Sequence, residues 1–357
     1  MKKIHRFSLL FLAALSVLFL SACGGQVPAS TWPGLSVYQK LAYMADGGRV
    51  FAVNLDGMTQ IWSYPDKPST AKQFYTDPAL TPDGQQLLLG AYDHVLYSVD
   101  PKTGADRWNF LTNDRIIVAP LVNETGIYLP SADANLYALD FSGKKRWTFT
   151  AGNGLWATPA TDGKLLYVPS MDHFLYAVTQ KDGKLVWKRD LGTAITGTPA
   201  LSEDGSKLYV GTIGEEIYAI DSANGSVLWH KPVDGSIWSG PALKDKQLYF
   251  GSTDENLYIF NADQGTLVQK VKIGGTITGT PLVDKDWVVV STGTGNLAAV
   301  MPNGSIKWNQ PIGGKLYTSP KLVGDRYLIA FTQSTDKLLE YVDRNGTVVG
   351  APFNLPK

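Results

Sequence analysis

One hairpin is written over and over in this chain. VLYSVDPKTGADRW (95–108), NLYALDFSGKKRW (135–147), FLYAVTQKDGKLVW (174–187) and EIYAIDSANGSVLW (216–229) share an alternating strand, a turn closing on glycine, and a strand carrying tryptophan. The turn glycine recurs eight times about every forty residues, at Gly57, Gly104, Gly143, Gly183, Gly225, Gly265, Gly304 and Gly346. A short hairpin loop ends on a residue at positive φ, which glycine adopts without a steric penalty. Asn54, Asp100, Asp140, Asp221, Asn261 and Asp343 open the turns and are suited to cap their free N–H groups.

Proline marks the other end of each unit, at Pro33, Pro78, Pro120, Pro159, Pro199, Pro241, Pro281 and Pro320. Lacking an N–H, it belongs at a strand start or a loop junction. Each unit therefore reads as four short strands, and four strands per forty residues is the arithmetic of a β-propeller. The expected fold is all-β, with eight four-stranded antiparallel blades; seven blades is the alternative, because copies one and eight are the most degenerate. Closure is expected to use a strand from one terminus to complete the blade begun at the other, which would also remove open sheet edges. The one sizeable insertion is SYPDKPSTAKQF (63–74).

Trp62, Trp108, Trp147, Trp187, Trp229 and Trp308 close the fourth strand of their copies. A lone blade cannot bury both faces, so it must stack on a neighbour. The six indoles are expected to dock blade against blade, each contributing about 2–3 kcal/mol when fully buried. Copies six and eight have Gln269 and Val349 instead, which predicts weaker seams.

The N-terminus reads as a targeting segment. MKKIHR is the positive start, FSLLFLAALSVLFL the apolar run, and Leu20-Ser21-Ala22-Cys23 resembles a bacterial lipobox. This predicts a lipoprotein signal peptide over 1–22, acylation of Cys23, a tether over 23–32 and the propeller over 33–357. Two or three acyl chains anchor stably where one does not. A tether of this length reaches no more than about 30 Å. Cys23 is the only cysteine, so no intrachain disulfide forms.

The first 22 residues hold three of the 32 Lys and Arg and no Asp or Glu, leaving a formal −3 on the remainder. That balance argues against nucleic-acid partners. With 44% hydrophobic and 18% charged residues, the chain can fill a sizeable core.

LYALD-x-x-(S/T)G-x-x-x-W resembles the repeat of the quinoprotein-like, or PQQ-repeat, propellers, over essentially all of 33–353. Eight copies, a lipobox and the modest length are similar to the propeller lipoproteins of outer-membrane β-barrel assembly. That resemblance implies a monomeric, non-catalytic scaffold in the cell envelope, held to a membrane by its lipid and binding an envelope protein of the β-barrel assembly machinery. The periplasmic face of an outer membrane is the implied location, or the outer face of the cytoplasmic membrane where no outer membrane exists.

The same family contains redox enzymes, in which the resemblance would imply a quinone on a vicinal disulfide beside a calcium site. One cysteine cannot build that platform, and no calcium-loop pattern of alternating acids appears. His94 and His173 fall in non-adjacent copies, a poor arrangement for metal ligands that must converge on one ion. STGTGN (291–296) leads into a strand rather than a helix, so it does not cradle phosphate. No catalytic residue, metal or cofactor is assigned. A quinone-dependent redox enzyme and a glycan or small-ligand sensor remain the alternatives to the scaffold.

A partner surface is expected on the face carrying the blade-joining stretches RIIVAP, GLWATP, AITGTP, SIWSGP, TITGTP and KLYTSP. Four residues before each proline the column is aliphatic: Ile116, Leu155, Ile195, Ile237, Ile277 and Leu316. One residue on it varies: Ile117, Trp156, Thr196, Trp238, Thr278 and Tyr317. Alternation sends the two columns to opposite sides. Ile117, Trp156, Trp238 and Tyr317, with Arg115 and Lys315, are expected to form an aromatic, partly basic patch, since aromatics and Arg dominate interfaces. Plugging of the channel by the same rings is the competing reading. Asp93, Asp133, Asp172, Glu215, Asp254 and Asp336 are expected to rim it.

Overall fold

The computed structural model describes residues 33–332 and 337–355. The expected signal peptide over 1–22, Cys23 with the expected tether, and Asp336 lie outside the described residues. The described chain forms eight four-stranded antiparallel sheets, each built from strands consecutive in sequence. They are blades 1 to 8, over 34–64, 79–111, 121–150, 160–190, 200–232, 242–272, 282–311 and 321–354.

The core is divided among the seams, with one buried apolar cluster between each pair of neighbouring blades. Between blades 3 and 4, for example, Tyr128, Leu136 and Ala138 meet Leu166, Val168 and Val178. Second and third strands are buried on both faces, as in LLYVP and FLYAVT of blade 4. Their near-continuous apolar runs follow from having a blade on either side.

The eighth seam closes the ring. Leu35, Met44 and Phe51 of blade 1 pack on Leu328, Leu339 and Phe353 of blade 8. All strands of blade 1 are N-terminal and all those of blade 8 C-terminal, so the expected sharing of one blade between the termini does not occur. Closure joins faces rather than edges, and among the described residues no strand pairs with the fourth strand of any blade on its far side. Polar contacts add to this seam: Asp77 Oδ1 accepts the Leu35 N–H at 2.8 Å, and Asp77 Oδ2 sits 3.0 Å from Lys321 Nζ.

The tryptophans lie within the fourth strand rather than at its end, as in Lys145–Thr150 around Trp147. Indole N–H groups of Trp62, Trp187, Trp229 and Trp308 donate to Pro101, Ser222, Ala262 and Arg344 carbonyls in the next blade's hairpin turn. Trp108 donates to Phe141 O and Gln86 Oε1, whereas the Trp147 N–H has no partner among the described residues. Each ring also covers the next blade's turn glycine. A Cβ on Gly143, Gly183, Gly225 or Gly265 would stand 2.5–2.6 Å from an indole atom. Seven of the eight turn glycines have positive φ; in blade 1 Met58 takes that role in place of Gly57. Asn54, Asp100, Asp140, Asp221, Asn261 and Asp343 each accept backbone N–H groups of their turns.

A second rule accompanies the tryptophan. The residue across from it in the third strand is small: Ala52, Ser98, Ala138, Ala177, Ala219 and Ala299. Where the ring is missing the partner is large, with Ile259 opposite Gln269 and Tyr341 opposite Val349. Directly opposed side chains share a face, so one fills the space the other leaves. Ile259 and Tyr341 are buried in the seams after blades 6 and 8, and those seams are filled by them.

Candidate functional site

The junctions between blades are fastened on both sides. Ile116, Leu155, Ile195, Ile237, Ile277 and Leu316 are at most 1% exposed. Each donates its N–H to the turn between second and third strands of the blade behind it, as Leu155 does to Ser131 O at 3.0 Å. The residue before it accepts from the matching turn of the blade ahead, as Gly154 O does from Met171 N. Tight packing demands glycine nearby: a Cβ on Gly211 or Gly251 would lie 2.3 Å from Ile237 or Ile277. Such junctions hold their next side chain in a fixed place.

That next column is more regular than the sequence alignment revealed. The junction after blade 1 reads FYTDP, so Tyr75 stands three residues before Pro78 in the same register. The insertion at 63–74 hid it. Aromatic residues therefore occupy every second junction, Tyr75, Trp156, Trp238 and Tyr317, with Ile117, Thr196 and Thr278 between them. All four aromatics line one cavity of about 220 Å3 at the mouth of the ring. Trp156 and Trp238 are each 37% exposed. Thr196 Oγ1 donates to Trp238 O at 3.1 Å and Thr278 Oγ1 to Tyr317 O at 3.3 Å, tying each aromatic's backbone to the preceding junction.

The other expected patch residues sit apart from that cavity. Arg115 is exposed but lies over the Tyr92 ring at 5.6 Å and beside Asp114 at 3.4 Å. Ile117 and Lys315 are half-buried. Lys315 is in a backbone bridge with Thr332. The patch is thus aromatic at its centre, with its cations outside.

The expected acidic rim is largely turned inward. Asp93, Asp133, Asp172 and Asp254 each accept the hydroxyl of a tyrosine four residues on, Tyr97, Tyr137, Tyr176 and Tyr258, at 2.6–2.7 Å. Asp133, Asp172 and Asp254 also cap their own turn through Oδ1. Burial, reinforced by the Asp172 carboxylate, pushes the Tyr176 hydroxyl up to about 12. Asp254 is driven down to about 2: burial opposes ionisation, but hydrogen bonds from Tyr258 and Lys270 outweigh it. Glu215 is not the counterpart of these aspartates. Gly214 occupies that place, and Glu215 shares the positive-φ position with His94, Ala134, His173 and Glu255. That position accounts for both histidines, whose carbonyls accept the N–H groups of Thr112 and Leu191. Among the described residues no group of three or more His, Cys, Asp or Glu could hold a metal.

A family model described as outer membrane protein assembly factor BamB matches residues 46–172, 92–194, 171–268 and 253–349. These overlapping matches span nearly every blade. The chain belongs to the BamB family of PQQ-repeat propellers. The crystal structure of BamB from Moraxella catarrhalis is similar with a TM-score of 0.72 and 18% identity, covering 83% of this chain and 92% of that one. A computationally designed protein, Ika8, also reaches 0.72 at 14% identity, covering 89% and 95%. At those identities both likenesses concern the fold. A curated relative, the serine/threonine-protein kinase AfsK of Streptomyces griseus, is 30% identical over 121 residues. The match spans 33% of this chain and 14% of the kinase. BamB membership supports a protein-interaction scaffold at the level of the family.

Proposed function

We propose that this protein is a non-catalytic scaffold of the cell envelope, anchored through an acylated Cys23 and presenting the mouth of its propeller to a partner protein of outer-membrane β-barrel assembly. The observation that carries the reading is the exposure of Trp156 and Trp238 on junctions stapled between two blades. Large aromatics held rigidly at a surface lose little conformational freedom on binding and commonly anchor interfaces. Arg115 and Lys315 flank this centre as rim cations. BamB membership supports this choice of machinery, and the resemblance of residues 20–23 to a lipobox supports the anchor.

The test is crosslinking in the native envelope from photoreactive residues at Arg115 and Lys315, which leave both indoles in place. Capture of a β-barrel assembly component from these sites, and its loss in a Trp156→Ala/Trp238→Ala protein of unchanged abundance, is the expected result. Capture that survives the double substitution refutes the aromatic centre. Radiolabelled palmitate incorporated by the wild type and lost in Cys23→Ala tests the anchor.

A further inference from the structure

The mouth combines the two exposed indoles with a polar lining that suits a small ligand as well as a protein surface. Besides the four aromatic side chains, the cavity is lined by small polar residues, among them Thr158, Thr198, Thr280, Ser239 and Ser319. Asp77 is the one charged side chain among the described residues lining it, and Lys321 at 3.0 Å offsets that charge. The lining is therefore electrically balanced: an anion meets no spare cation there, and a cation no spare carboxylate.

We infer that the mouth binds a neutral carbohydrate, with one pyranose unit entering between Trp156 and Trp238. A sugar ring has an apolar C–H face that stacks on an indole and a perimeter of hydroxyls that exchange hydrogen bonds with Thr and Ser. It carries no charge, in keeping with the balanced lining. The volume of about 220 Å3 lies below the roughly 300–1,000 Å3 of drug-sized pockets, which limits entry to a single ring with the remaining chain in solvent. The junctions are held on both sides, so the platforms stand ready before binding.

Full-length protein in a detergent without a sugar headgroup would be titrated with chitotriose, cellotriose and maltotriose by calorimetry, with saturation-transfer NMR reporting contact. Saturable binding of at least one trisaccharide is expected. Trp156→Ala and Trp238→Ala should each weaken it by roughly tenfold, and the Phe substitutions, which keep a ring, by clearly less. Thermal unfolding checks that the variants are folded; should an Ala variant fail, the Phe variant still reports. Absence of saturable binding by all three sugars overturns the inference, as does binding undiminished by both Ala variants. Equal losses in the Phe and Ala variants overturn the stacking on which it rests. This assay uses purified protein and free sugar, so it succeeds or fails independently of partner capture in the envelope.

Discussion

The Trp147 ring lies 2.5 Å from the point a Cβ would occupy on Gly183, in the hairpin turn of the next blade. Two demands meet at that glycine. Its φ of +71° excludes most side chains, and the neighbouring indole leaves no room for one. Gly163 separates these demands, because its φ is +88° but nothing lies within 4 Å of its Cβ position. Gly163→Ala should cost about 1–2 kcal/mol from backbone strain alone. Gly183→Ala adds displacement of a packed ring and should cost roughly 1–3 kcal/mol more. Urea unfolding of the two variants measures the difference, and equal losses would remove the indole from the account.

Trp147 faces Ala138, while Gln269 faces Ile259. If these pairs are alternative ways to fill one space, they should be exchangeable. Gln269→Trp alone should overpack the seam between blades 6 and 7 and cost about 1–3 kcal/mol. Ile259→Ala alone should leave a cavity and cost about 2–5 kcal/mol. Combined, they recreate the pair found in blades 1, 3, 4, 5 and 7, so the double variant should be more stable than additivity predicts by at least about 1 kcal/mol. An additive cycle would mean that the two sites are independent.

Asp254 gives the mouth face a dependence on pH. Its carboxyl falls from 3.8 to about 2 in the folded protein. A depressed carboxylate contributes stability that is complete above its unfolded value and fades as pH falls through the folded one. The contribution is therefore intact above about pH 4 and is lost towards pH 2. Asp254→Asn should lower the urea midpoint at pH 5 and flatten its decline between pH 4 and 2 relative to wild type. Parallel curves for the two proteins would show that this carboxylate is not the group responsible.

Much of this architecture was legible because each blade repeats the same solution. Turn glycines, strand-opening prolines and the aliphatic column at Ile116 to Leu316 are local signals, readable by alignment of the copies. What escaped were relationships between strands. The Asp133–Tyr137 clasp joins a turn to the strand after it, and a run of four residues there looks like ordinary alternation. The Ala138–Trp147 pairing depends on a bulge between Ala138 and Leu139 that shifts the register. Tyr75 was concealed by twelve inserted residues, although counting back from Pro78 finds it. Ring closure depends on which faces of the first and last copies meet, and no repeat pattern carries that information.

Closure provides the last test. Asp77 lies in the junction after blade 1, yet it reaches the backbone of that blade's first strand at Leu35 and the first strand of blade 8 at Lys321. It thus fastens two inner strands that belong to opposite ends of the chain. Gly34 comes so near that a Cβ there would fall 1.9 Å from Thr76 O. Asp77→Ala removes a partly exposed ion pair and a backbone hydrogen bond, for a loss of about 1–3 kcal/mol. Because blades 8 and 1 meet face to face without a shared strand, no ladder holds them when the clasp is gone. Hydrogen exchange should accelerate first at 34–38 and 321–323, with the blade 4 strands at 165–169 and 174–179 protected as in wild type. Uniform acceleration around the ring would show instead that all eight seams yield together.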